Sequence, residues 1–161
     1  MGIFDFKKKK NVDVIAAPVA GVAVESAQIN DPTFGEEMLG KGMAVEPIDT
    51  KVYAPFDGRV TLVFDTGHAV SLVSKMGAEV LIHVGLDTVS LKGQHFTTYV
   101  TDGTAVKKGD LLLEFDREAI AAAGFDTIIP IVICNSDDYK KVKCMTGMPV
   151  KSGDTIMELE K

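Results

Sequence analysis

From Val14 onward, no apolar run in this chain goes far before Gly, Pro, Asp or Asn interrupts it, and that punctuation rules out long helices as the main building material. What remains is a series of short runs rich in Val, Ile, Leu and Thr, each long enough for one strand. They are Gly21 to Glu25, Arg59 to Asp65, Ala69 to Ser74, Glu79 to Val84, Thr98 to Val100, Leu111 to Phe115, Ile129 to Cys134 and Ile156 to Leu159. Helix is predicted at only two places: Pro32 to Leu39, capped by Asp31, and Arg117 to Ala123, ended by Gly124. The expected fold class is all-β, an antiparallel β-sandwich with short helical segments.

Two pairs of segments repeat. Ala17-Pro18-Val19-Ala20-Gly21-Val22 and Ala54-Pro55-Phe56-Asp57-Gly58-Arg59-Val60 each place Pro before a turn Gly that leads into a strand. Val106-Lys107-Lys108-Gly109-Asp110-Leu111 and Val150-Lys151-Ser152-Gly153-Asp154-Thr155 each use Gly-Asp as a tight connection. A pseudo-duplicated sheet is expected. The turns resemble the hammerhead turns of barrel-sandwich carrier domains, but the nearest match to a modified carrier lysine, Ser74-Lys75-Met76-Gly77, lacks the carrier motif and is read as a turn.

Charge is divided unevenly. Residues 1–10, MGIFDFKKKK, carry four lysines against Asp5, or +3, while the other 151 residues carry 13 basic and 22 acidic side chains, or -9. No Lys/Arg cluster in the body suits a nucleic-acid backbone, so no nucleic-acid partner is expected. The tail has two readings: weak contact of Ile3, Phe4, Phe6 and the lysines with an anionic membrane surface, or a frayed terminus. Residues 11–161 are expected to form one domain. No run of ~18 apolar residues and no secretory signal is present, so a cytoplasmic location is expected. Cys134 and Cys144 form no CxxC pair and are expected to be buried free thiols.

Three histidines remain for chemistry: His68, His83 and His95. His68 and His83 stand on neighbouring predicted strands joined by a turn around Lys75 to Ala78. A turn centred on Lys75-Met76 places His68 across from His83; one centred on Met76-Gly77 places it diagonally, on the same face. A slip of one residue sends the rings to opposite faces. Such a pair suits a structural hydrogen bond, a metal site or a supported nucleophile. No HxH, HExxH or Cys cluster supplies a third zinc ligand, so no permanent metal or other cofactor is expected. Asp87 is placed to approach the pair or to serve the following turn.

Thr66-Gly67-His68-Ala69 followed by Leu81-Ile82-His83-Val84-Gly85-Leu86-Asp87-Thr88-Val89-Ser90-Leu91-Lys92-Gly93 resembles the glucose-class IIA component of the bacterial sugar phosphotransferase system. The likeness extends through Ala17-Pro18 with Gly21, Asp31-Pro32-Thr33-Phe34, Gly40-Lys41-Gly42 with Ala44, Ala54-Pro55 with Gly58, Gly109-Asp110, and Pro130-Ile131-Val132 with Asn135. It implies the barrel-sandwich hybrid fold (duplicated hybrid motif) and a phosphocarrier working through a phosphohistidine. It also implies that His83 takes a phosphoryl group from phospho-HPr on Nε2 while its other nitrogen donates to the Gly85 carbonyl. By the same likeness His68 is the partner that stabilises the phosphoryl group, Thr66 orients His68, and the group passes to a cysteine of the IIB domain of a sugar permease, which chooses the sugar.

The resemblance further suggests a docking surface of Phe34, Met38, Leu39, Phe64 and Leu81, with Asp87; the apolar members are equally suited to core. His95 is expected to be an exposed bystander. Some relatives regulate target proteins through a zinc held with an acidic residue where this chain has Lys141, which weakens that role and leaves only adventitious zinc at His68 and His83. The initiating Met and basic tail favour a free-standing protein. One rival reading stays open, a non-catalytic regulatory or binding module of the same fold with a structural or metal-sensing His pair; a metallopeptidase is disfavoured, because it needs an HxH pair with a distant His and Asp.

Overall fold

A computed structural model describes residues 11–161; the tail and its membrane reading lie outside the described residues. Fourteen strands and two short α-helices follow in the order β1 (Val12–Ala16), β2 (Gly21–Glu25), α1 (Pro32–Gly35), β3 (Lys41–Pro47), β4 (Lys51–Tyr53), β5 (Gly58–Val63), β6 (Ala69–Ser74) and β7 (Glu79–His83). Then come β8 (Phe96–Thr98), β9 (Ala105–Val106), β10 (Leu111–Phe115), α2 (Arg117–Ala122), β11 (Ile129–Ile133), β12 (Lys141–Cys144), β13 (Met148–Val150) and β14 (Thr155–Glu160). The all-β antiparallel reading holds, and β2, β6 and β10 keep their predicted bounds. Helix α1 is shorter than expected, because Glu36 to Leu39 form a turn in which Glu37 is left-handed, with φ 57°. Its Asp31 cap is in place, the carboxylate accepting from Thr33 N at 2.8 Å.

An eight-stranded sheet, ordered β13-β2-β3-β11-β7-β6-β5-β9, faces two three-stranded sheets, β1-β14-β12 and β4-β10-β8. The repeated segments explain this symmetry through their hydrogen bonds. Ala17 N donates to Asp154 O and Gly153 N to Ala17 O; likewise Ala54 N donates to Asp110 O and Gly109 N to Ala54 O. Each Gly-Asp turn closes alike, Asp154 accepting from Lys151 N and Asp110 from Lys107 N. Gly21 pairs Val150 at one sheet edge as Gly58 pairs Val106 at the other. Carried along the ladders, the correspondence makes β2, β3 and β11 the counterparts of β5, β6 and β7. Ile82 and Ile131 are counterparts that pair with each other, so the pseudo-twofold axis passes between them.

Strand alternation sorts the side chains into two clusters. Val70, Leu72, Val80, Ile82, Ile131 and Ile133 enter the main core between the sheets. Ala69, Leu81 and Val132 point to the other face, where Ile29 and Phe34 of the connection 26–40 cover them.

The register of β6 and β7 differs from both registers expected. Ala69 pairs His83, so His68 lies across from Val84, the one-residue slip. The cause is a three-residue turn, Lys75-Met76-Gly77, closed by Ser74 N to Ala78 O at 2.9 Å, with Gly77 at φ 100°. Ser74 Oγ accepts from Ala78 N at 2.9 Å and donates to the buried Asp13 carboxylate, which ties the turn to β1. The slip does not part the imidazoles, because β6 begins at Ala69 and alternation does not extend to His68. The preceding turn sets the His68 ring instead, with Gly67 at φ 71° donating to Phe64 O at 2.7 Å.

Candidate functional site

His83 ends β7 and His68 precedes β6, which places their rings 4.7 Å apart between centroids and 81° apart in plane. Phe34 from α1 lies 5.0 Å from the His83 ring, while Phe64 and Phe96 meet His68 edge-on at 5.5 and 6.4 Å. The pair sits in an aromatic surround with His68 only 2% exposed and His83 half-buried.

Each ring has its Nδ1 occupied. His83 Nδ1 lies 2.7 Å from the Gly85 carbonyl, the contact that the resemblance implies. Thr66 Oγ1 meets His68 Nδ1. The Gly85 carbonyl is held by the turn around it: Gly85 is left-handed at φ 78° and donates to Ile128 O at 2.9 Å, while Leu86 donates to Asp126 O at 3.0 Å. Buried Thr88 donates to Val84 O at 2.5 Å, and a Cβ on Gly85 would stand 2.6 Å from Thr88 Cγ2. Glycine is therefore required at position 85 both by its backbone and by its space.

Burial favours the neutral form of both rings. Burial, then the neighbouring His83, lowers the His68 pKa to about 4. Burial also lowers that of His83, opposed by the Gly85 hydrogen bond and by the carboxylates of Asp31 and Asp87. Asp31, read from sequence only as a helix cap, thus also faces the site. Phe96 likewise joins the aromatic surround without having been predicted there, since a lone aromatic on a short strand carries no sequence signal for such a role.

The expected docking residues divide. Met38 and Leu39 are exposed at 70% and 46%, Phe64 is half-buried and Asp87 is exposed. Phe34 and Leu81 are buried at 7% each and pack in the second cluster, so they are floor and not surface. His95 is half-buried, not exposed, with φ 78° and its carbonyl accepting from Asp116 N. Cys134 is exposed and Cys144 half-buried, both free, so the expectation of buried thiols fails: Cys134 follows the last residue of β11 at the surface, while Cys144, the last residue of β12, packs against the main core with part of its side chain open. Lys141 is exposed on β12. Among the described residues, no group of three or more His, Cys, Asp or Glu side chains gathers as a metal site would need. Nor is any described helix long and apolar enough to cross a membrane.

Residues 13–139 match the family described as phosphoenolpyruvate-dependent sugar phosphotransferase system, EIIA 1. The chain belongs to this EIIA family. It is 39% identical over 153 residues to the glucose-specific EIIA component of Bacillus cereus, covering 95% of this chain and 93% of that protein. It is 50% identical over 141 residues to the β-glucoside-specific EIIBCA component of Dickeya chrysanthemi, covering 88% of this chain but 22% of that relative's length. Among solved structures, glucose permease IIA from Mycoplasma capricolum superposes with a TM-score of 0.81 at 33% identity, covering 91% and 95% of the two chains. The chain is an EIIA component of the sugar phosphotransferase system, and its β-sandwich is the EIIA fold.

Proposed function

We propose that this EIIA component takes a phosphoryl group from phospho-HPr onto Nε2 of His83 and delivers it to a cysteine of the IIB domain of a sugar permease. The observation that carries the reading is the pair of imidazoles side by side, each engaged at Nδ1, with burial favouring the neutral form of both. With its Nδ1 proton given to Gly85 O, His83 keeps a lone pair on Nε2, where it is nucleophilic without a base to activate it. That pair forms the new N–P bond as the donor's N–P bond breaks, and the Nδ1 proton stays in place. Asp31 and Asp87, which already favour a charged ring, offset the positive charge that the imidazole gains.

His68 serves as donor. In this reading the Thr66 hydroxyl, which meets His68 at Nδ1, is the donor of that contact, so the ring proton sits on Nε2 and is free for the phosphoryl oxygens. Because phosphoryl transition states are loose and spread charge over the equatorial oxygens, such a fixed donor and correct placement are the main contributions a protein makes. Phe64, against the His68 ring, and Met38 and Leu39, exposed on the turn that follows α1, suit a collar that excludes water when a carrier docks. Phe34 acts beneath it by holding the His83 ring. The Dickeya relative is named an EIIBCA component, which supports IIB as the recipient. No resident metal takes part in this reading.

Incubation with phosphoenolpyruvate, enzyme I and HPr tests it. An acid-labile, base-stable label on this chain that chases onto an added IIB domain is expected; no label under conditions that charge HPr would leave the non-catalytic module as the better account.

A further inference from the structure

We propose a second ligand site, for a small soluble organic phosphate, in the cleft of about 540 Å³ lined by Arg59, Val73, Lys75, Ala105 and Lys107. It lies over the β6–β5–β9 end of the large sheet. Val73 is separated from Ala69 by most of β6, on the order of 13 Å at ~3.3 Å per residue, so the cleft stands apart from the histidines. Its size suits a small molecule, with an apolar floor and a few converging polar groups.

The internal duplication serves as a control for what the fold itself needs. Lys107 and Asp110 of the Gly-Asp turn recur as Lys151 and Asp154 and belong to the scaffold. Arg59 does not recur. It pairs Val73 and Ala105 where, in the other half, Val22 pairs Glu46 and Pro149. Lys75 does not recur either: Lys75 N donates to Asp57 O as Ile48 N donates to Ala20 O, and Ile48 is 69% exposed. The same backbone is thus built once with an uncharged residue at both places and once with two cations lining one cleft.

Among the described residues neither cation is held in an ion pair. The ion pairs among the described residues are Lys140–Glu160 and Lys143–Glu158, neither in the cleft. The two carboxylates of the lining are held by turn backbone, Asp57 accepting from Lys108 N and Asp110 from Lys107 N, both at 2.9 Å. Arg59 spends one Nη1 donor on Gly103 O at 2.7 Å, which anchors the guanidinium and leaves its other donors for an anion. In a chain of net charge -6, three cations around one cleft mark an anion's place, and a guanidinium with two ammonium groups suits phosphate best.

The test is an NMR titration of the ¹⁵N-labelled full chain with pyrophosphate, a phosphorylated hexose, sulfate at matched ionic strength, and phosphatidylglycerol vesicles. Saturable shifts of the Gly58, Val73, Ala105 and Val106 amides with either phosphate compound, and not with sulfate, are expected. The variant Arg59→Val/Lys75→Ile, which copies Val22 and Ile48 from the other half, should bind at least tenfold more weakly and still accept label from HPr. Equal shifts with sulfate, a response to vesicles alone, undiminished binding by the variant, or no shift would each overturn the site. In the last case Arg59 and Lys107 are charges that guard the β9 edge.

Discussion

The hairpins β2–β3 and β5–β6 occupy equivalent places in the two halves but are joined differently. In one, residues 26–40 form a long excursion containing α1; in the other, Phe64 to His68 turn back at once. The counterpart of His83 is Val132, which pairs Gly42 as His83 pairs Ala69, and the counterpart of His68 is Lys41. The ladder therefore accepts valine and lysine where the other half has imidazoles, so the sheet itself makes no demand for histidine at either place. The histidine pair occurs in one half alone, and the long connection of the other half brings Phe34 onto the His83 ring across the pseudo-twofold axis.

The comparison predicts effects of decreasing size. His83→Gln, which leaves the second half as inert as the first, should lower labelling from phospho-HPr by more than about a thousandfold with the fold retained. A thermal melt alongside the labelling assay checks both parts. Phe34→Ala removes what the first half lends to the second; it should cost about 3–4 kcal/mol by denaturant unfolding, and move the His83 pKa back toward the usual imidazole value.

His68→Gln should still accept label but deliver it to a IIB domain roughly 100-fold more slowly, the size expected for loss of one fixed donor. Rapid-quench transfer decides this, and normal onward delivery would remove His68 from the mechanism.

The smallest effect concerns pH. Since His68 has its pKa lowered to about 4 in the folded chain, the unfolded chain takes up the proton first as pH falls below the usual value near 6.5. Its neutral burial therefore favours folding fully above that value, and the advantage is lost as pH drops from about 6.5 to about 4, by up to roughly 2–3 kcal/mol. Unfolding curves of the parent and of His68→Gln, compared across this range, should converge toward low pH. Parallel curves would contradict the shift.

Much of the second half was legible in the sequence and less of the first. Strands β6 and β10 are short apolar-rich runs bounded by turn residues, whereas β3 has Gly42 as its second residue and β13 contains Pro149, residues that read as breakers. These are strands because neighbours pair them, a tertiary cause absent from local sequence. The histidine pair was legible by spacing, but its register was not. That depended on Ser74 bonding both Ala78 and a distant Asp13, and on His68 standing outside the strand. Phe34 and Leu81 showed apolar character without showing which side of the sheet they served. Asp31 looked like a cap because capping is local, while its field at His83 arises only when the connection folds over the sheet.

In the proposed reaction His83 carries the phosphoryl group on Nε2 while its Nδ1 stays bonded to the Gly85 carbonyl. Nitrogen NMR of ¹⁵N-histidine-labelled chain, before and after charging by phospho-HPr, addresses it atom by atom. Phosphorus coupling at Nε2 of His83, with its Nδ1 proton retained and His68 unphosphorylated, is the predicted result. A phosphoryl group on Nδ1, on His68, or on neither ring would contradict the account.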